Sequence, residues 1–130
     1  MASVELVTIE DRKNSLLNRR EMSVIFKNAA GRIKRPEATE IIAKQNNVEK
    51  KAVIPISMVC GKGRTDVRAV FYIYTDEKEA IKHLPRYRLL RNLPKEERKK
   101  IIADEKAAKL KAKQASATQS KARGQSGGRR

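Results

Sequence analysis

From Pro94 to its end this chain offers almost nothing to bury, so any folded core must come from the residues before it. Lys95 to Arg130 holds 12 Lys+Arg against 4 Asp+Glu, which places +8 of the formal net charge of +16 in that arm. Such a run repels itself and cannot offset lost chain entropy through apolar burial, so it is expected to stay mobile until a polyanion neutralises it. Nucleic acid is the polyanion that fits. Met1 to Pro94 carries 19 Lys+Arg against 11 Asp+Glu, again +8, so the globular part is expected to touch the anion as well.

The residues before the arm suffice for one modest core and leave no room for a second. The expected organisation is a domain over residues 1–93 and a basic extension over 94–130, helix-prone from 94 to 114 and disordered from 115 to 130 when free. Cys60 is the single cysteine and His83 the single histidine, so an internal disulfide and a Cys/His zinc site are both ruled out, and neither metal nor cofactor is expected. No apolar run approaches the roughly 18 residues of a membrane span, and the N-terminus lacks a basic region followed by an apolar one. A soluble, intracellular protein that does not engage membranes is expected.

Within the domain, the hydrophobic pattern alternates between two periods. Ser3 to Lys13 reads as a strand with Val7 and Ile9 on one face and Leu6 and Thr8 on the other. In Glu21 to Lys27, Met22, Val24 and Phe26 alternate with Ser23, Ile25 and Lys27, as in a half-buried strand. Between them, Leu16 and Leu17 are expected to anchor the connection while Arg19 and Arg20 face out. After the turn Asn28-Ala29-Ala30-Gly31, a helix is expected over Pro36–Asn46, with Pro36 and Glu37 suited to its start and Ala38, Ile41, Ile42 and Gln45 forming its inner face. Ala52 to Val59 is apolar enough for a strand covered on both sides, although Pro55 argues for an edge or a bulge. Thr65 to Tyr74 is the most strand-like segment, with Val67, Ala69, Phe71 and Ile73 on one face, and Cys60–Arg64 joins it to its predecessor as an antiparallel hairpin. Thr75–Glu79 opens a second helix, in which Ala80, Ile81 and Leu84 are spaced to pack on the sheet before Pro85 stops it. The order strand-strand-helix-strand-strand-helix predicts an α+β domain with a four-stranded, mainly antiparallel sheet packed with two helices.

Four constellations invite chemistry. Gly61-Lys62-Gly63-Arg64-Thr65 lacks the spacing of a phosphate loop and the third glycine of a dinucleotide fingerprint. It reads either as a hairpin that needs positive φ at glycine or as a tip presenting Lys62 and Arg64 to RNA phosphates. His83 has no partner that would make it an acid or base, so a place in the last turn of a helix is expected. Cys60 reads as a small hydrophobe, and Glu96-Glu97 lies where no wall would desolvate it, so no reaction is expected. Arg86-Tyr87-Arg88-Leu89-Leu90-Arg91 is more specific. Its arginines suit phosphates and Tyr87 suits a stacked base, while the leucines can dock the segment on the domain.

In combination, these stretches resemble the e-type family of small-subunit ribosomal protein twenty-four, found in archaea and eukaryotes. The resemblance rests on Asn14-Ser15-Leu16-Leu17-Asn18-Arg19-Arg20-Glu21-Met22, the Pro36–Ala43 helix start, the glycine hairpin running through Thr65 into Ile73-Tyr74-Thr75-Asp76, and Pro85–Arg91, in the family's order over about residues 4–93. The chain departs from the family at Asn28-Ala29-Ala30-Gly31, where His-Pro-Gly is frequent, at Cys60, where Phe is usual, and at Leu84, where an acid is usual. The resemblance implies an α+β domain packed on small-subunit rRNA beside neighbouring ribosomal proteins, cytoplasmic in its ribosome, present once and not as a homo-oligomer. Read from charge and position rather than from the family, whose arm varies, the expected RNA-binding residues are Arg19, Arg20, Lys62, Arg64, Arg86, Tyr87, Arg88 and Arg91 on the domain, and Lys99, Lys100, Lys106, Lys109, Lys111 and Lys113 in the arm. The rival is a free-standing nucleic-acid binder of regulatory or chromatin type.

Overall fold

The structure, a computed structural model, describes residues 4–125. The chain divides into two compact units between Asn92 and Leu93. The first holds β1 (Leu6–Asn14), β2 (Arg19–Phe26), α1 (Arg35–Asn46), β3 (Val53–Cys60), β4 (Val67–Tyr74), α2 (Glu77–His83) and α3 (Arg86–Leu90), with a 3₁₀ turn at Lys50–Ala52 leading into β3. The four strands form one sheet in the order β1-β2-β4-β3, and every neighbouring pair is antiparallel. The fold is α+β, and α3 adds one short helix to the expected order.

Alternation decides which face is the core. Met22, Val24 and Phe26 of β2 stand opposite Phe71, Ala69 and Val67 of β4, and all six are buried. α1 closes over them through Ala38, Ile42 and Ala43. Phe26 meets Phe71 edge to face, with ring centroids 6.3 Å apart, the arrangement that the ring quadrupoles favour. At the start of α1, Glu37 accepts the Lys34 N–H at 3.1 Å; at its end Asn47 turns left-handed (φ 52°), and the Val48 N–H returns to the Ala43 carbonyl at 3.0 Å. Gln45, which the spacing put on the inner face, is exposed. Thr39 is buried instead, its hydroxyl donating to the Arg35 carbonyl at 2.8 Å so that nothing polar is left unsatisfied.

The other face of the sheet is covered at one end only. There Ile54, Tyr74 and Ala80 are buried together, with Ile56, Tyr72, Leu84 and Leu89 packed around them. Ile81 does not pack as expected and is 64% exposed. A helix of seven residues has one inward line, and Ala80 and Leu84, four apart, occupy it. β3 is an edge strand, and its register shifts between Pro55 and Ser57, as expected where proline withholds a donor. Burial on both sides holds for Val53, Ile54 and Pro55 and fades toward Cys60.

The second unit is α4, Lys95–Gln125, 31 residues long. It runs past Gln114, where the helix-prone stretch was expected to give way to disorder in the free chain. Ala115, Ala117 and Ala122 favour helix, and the hydroxyls of Ser116, Thr118 and Ser120 donate back to carbonyls three or four residues earlier, so these polar residues stay within the helical frame. The rest of the expected disordered stretch, 126–130, lies outside the described residues. No helix among the described residues is long and apolar enough to cross a membrane.

Candidate nucleic-acid interface

The hairpin of β1 and β2 uses its arginines internally. Arg19 lies over the Tyr72 ring at 4.0 Å, donates to the Tyr74 hydroxyl at 3.0 Å and pairs with Glu21 at 2.7 Å, leaving its side chain 14% exposed. It was expected to face outward. Two tyrosines on β4 and an acid two residues along its own strand offer the guanidinium better partners than water, so it folds onto the sheet. Arg20 is more exposed but grips Asp11 across the strand pair with both arms of its fork, one at 2.7 Å. The hydrogen bond from Arg20 holds the Asp11 carboxyl below its ordinary value, and the bond from Arg19 does the same for Glu21.

Free cations gather at the opposite end of the sheet. The Gly61–Arg64 turn closes with the Arg64 N–H on the Gly61 carbonyl at 3.2 Å. Gly63 sits at φ +70°, where the loop needs a glycine, while a Cβ on residue 61 would meet only the flexible Arg64 side chain, 3.3 Å away. The hairpin reading and the phosphate reading of this loop are compatible, because Lys62 and Arg64 are both exposed at its tip. A second loop is stitched beside it: the Ala30 N–H donates to the Thr65 carbonyl at 2.9 Å and the Asn28 N–H to the Asp66 carboxylate at 3.1 Å. That loop leads into Arg32, Lys34 and Arg35, all exposed and, like Lys62 and Arg64, without an ion pair among the described residues. Sequence reasoning missed these three. Their signal was local density, three cations in four residues after a glycine, but only the fold sets them beside the hairpin tip.

The Arg86–Arg91 strap forms α3 and lies along β3. Its Arg88 donates to the carbonyl of Ile56 at 2.9 Å, the residue at the register shift of β3. Asn92 donates to the Val53 carbonyl at 2.9 Å. Leu89 docks the strap on the second cluster, as expected, but Arg88 turns inward to bind the strand. Tyr87 is 51% exposed, with the Arg91 and Arg88 guanidinium carbons 5.0 and 5.7 Å from its ring centre. Arg86 is exposed and Arg91 half-buried. Because Arg88 donates to the Ile56 carbonyl, Arg88→Ala should lower stability by about 1–2 kcal/mol, whereas Lys62→Ala should stay within about 0.5. Urea melts of both variants check this. Equal midpoints would mean that the Arg88 bond contributes nothing.

α4 arrays its cations by helical spacing. Lys99, Lys106 and Lys113 recur every seven residues, two turns apart, and form a line about 21 Å long at 1.5 Å per residue. Lys109 flanks that line, while Lys100 and Lys111 fall on the side that also carries Glu97 and Asp104. All six lysines are exposed. His83, in the last turn of α2, is exposed with its ring stacked toward Tyr74, centroids 6.4 Å apart. The Cys60 thiol, expected to behave as a small hydrophobe, is also exposed and donates to the Arg64 carbonyl at 3.3 Å. Among the described residues no three His, Cys, Asp or Glu side chains are grouped to hold a metal ion.

The exposed cations of the hairpin tip, the adjoining loop and α4 carry the charge that a polyanion complements. The sequence model of the family described as Ribosomal protein S24e matches residues 4–93. Over 90 residues the chain is 32% identical to the small ribosomal subunit protein eS24 of Thermoplasma acidophilum, a match covering 68% of this chain and 92% of that protein. Against the small ribosomal subunit protein eS24 of Thermoplasma volcanium it is 36% identical over 90 residues, covering 68% and 91%.

Proposed function

The chain belongs to the ribosomal protein S24e family, and on that premise we propose that it is a structural constituent of the small ribosomal subunit that binds rRNA and supports subunit assembly and translation. The match over residues 4–93, which spans the whole β-sheet domain, carries this reading. Phosphate neutralisation supplies the affinity, and the shape of folded RNA sets the site. On the domain the contacts are Lys62 and Arg64 with Arg32, Lys34 and Arg35 beside them, together with Arg86, Tyr87 and Arg91 of the strap. Arg19 and Arg88 act from behind, holding the hairpin and the strap in place, and Arg20 reaches phosphate only at the cost of its pairing with Asp11. Residues 94–130 form a basic extension, with Lys99, Lys100, Lys106, Lys109, Lys111 and Lys113 neutralising phosphates. The protein works without cofactor or catalysis, once per subunit, in cytoplasmic ribosomes and among other ribosomal proteins.

Sedimentation separates this function from that of a loose regulatory or chromatin-type binder. In a sucrose gradient of lysate from cells expressing the full chain, it should travel with the small subunit at one copy and remain there through a high-salt wash. Elution into the soluble fractions by salt would overturn the ribosomal reading.

A further inference from the structure

The turn between β1 and β2 carries an apolar side chain that the fold makes no use of. Leu16 is 92% exposed, while its neighbour Leu17 is half-buried. Both leucines were expected to anchor the connection, and only Leu17 can. A single exposed leucine is ordinary, but Leu16 sits on a fixed frame. The Asn14 carboxamide oxygen accepts the N–H groups of Leu16 and Leu17 at 3.2 and 3.3 Å, and the Asn14 amide donates to Glu21 at 3.4 Å. Asn18 takes the left-handed conformation (φ 47°) and donates to Glu79 on α2 at 3.1 Å. Such a tip loses little freedom on binding, so contact area converts into affinity with a smaller entropic loss.

A groove of about 850 Å³ opens beside the tip, bounded by Ser15 and Asn18 of the turn and walled by Val48 and Tyr74. Its electrostatics differ from those of the rest of a +16 chain. Arg19 and Arg20 line it but are neutralised by Glu21 and Asp11, and Arg12 nearby on β1 pairs with Glu10 at 3.2 Å. What remains in the lining is one cation, Lys13, against Asp76 and Glu79. One oxygen of Glu79 accepts from Asn18; the other, Oε2, is buried with no hydrogen-bond partner among the described residues. A buried carboxylate oxygen without a donor is a standing cost that an incoming N–H group removes.

We propose that this end of the domain is a docking surface for a neighbouring protein, with Leu16 entering an apolar pocket of the partner and a Lys or Arg side chain of the partner entering the groove to reach Glu79. The charge pattern selects that occupant. RNA would meet carboxylates here and few free cations, whereas a protein that shares an RNA surface carries exposed basic side chains of the kind the groove accepts. The inference rests on the ribosomal reading, since it needs a neighbour held within the same particle.

Photocrosslinking in assembled subunits tests it. The full chain, with Leu16 replaced by p-benzoylphenylalanine, is expressed in cells, small subunits are isolated on a gradient, and the adduct formed on irradiation is digested with ribonuclease or with protease. The expected adduct resists ribonuclease and yields to protease, and its yield falls about tenfold when Glu79→Gln is added, the loss of one charge-assisted hydrogen bond. An adduct destroyed by ribonuclease, or no adduct in subunits that contain the protein, overturns the docking surface while leaving the ribosomal reading intact. An unchanged yield with Glu79→Gln removes the groove from the surface. Failure of the unsubstituted chain to enter subunits overturns both.

Discussion

Replacing Phe71 with alanine is expected to lower the stability of the domain by about 3–5 kcal/mol, the usual effect of emptying a large aromatic from a closed core. Phe71 has no exposed surface. It lies on the central strand β4 between its two partners, opposite Met22 on β2 and Pro55 on β3, and takes the ring of Phe26 on its edge. The hole would therefore open where sheet and helix meet, and a small domain stable by only about 5–15 kcal/mol has little to spare. Urea denaturation followed by circular dichroism gives the number. A shift below about 1 kcal/mol would mean that the core relaxes around the hole, and that β4 is not its centre.

The core was legible because each of its strands repeats one short pattern. Val67, Ala69, Phe71 and Ile73 could share a face only if the segment was extended, and the alternation Met22, Val24, Phe26 fixed the partner face in the same way. Pro55 argued for an edge or a bulge, and β3 has both. What the pattern could not supply was the destination of the charges. Arg19 reads as an exposed cation because it neighbours Arg20 in a polar connection, yet it is held by Tyr72 and Tyr74, which lie more than fifty residues away in sequence. Arg88 reads as part of an arginine cluster, yet its partner is the Ile56 carbonyl, at the register shift beside Pro55. Helical spacing failed at Ile81 because α2 is too short to bury two lines of side chains, and at Gln45 because Thr39 could satisfy its hydroxyl locally. The cluster of Arg32, Lys34 and Arg35 with Lys62 and Arg64 stayed hidden for the opposite reason: two loops that look unrelated in sequence are joined by the Ala30–Thr65 and Asn28–Asp66 hydrogen bonds. Local periodicity thus specifies elements, and long-range partners decide which cations remain for a ligand.

The largest effect on binding is expected from α4, and it should depend on where the lysines sit. Changing Lys99, Lys106, Lys109 and Lys113 to alanine removes a line of charge that can follow one phosphate backbone, whereas changing Lys100 and Lys111 removes cations from the side that also carries Glu97 and Asp104. Each phosphate contact releases about 0.9 of a counterion, so the four-lysine variant should flatten the dependence of log affinity on log salt by about three to four units and weaken binding near 0.1 M salt by about three orders of magnitude. The two-lysine variant should lose about one unit or less. Alanine is a strong helix former, so the line is removed without unmaking the helix. Affinity for a small-subunit rRNA fragment, measured across a salt series with helicity checked by circular dichroism, separates three cases. Slopes that fall in proportion to the number of lysines removed, whatever their position, would mean that α4 acts as an unordered polycation and that its helical spacing carries no meaning for RNA. An unchanged slope in both variants would place the electrostatics on the domain, at Lys62, Arg64 and the cations beside them. Only the unequal loss follows from a helix that meets RNA along one side, because the sevenfold recurrence of Lys99, Lys106 and Lys113 aligns charge only when the chain is wound at 3.6 residues per turn.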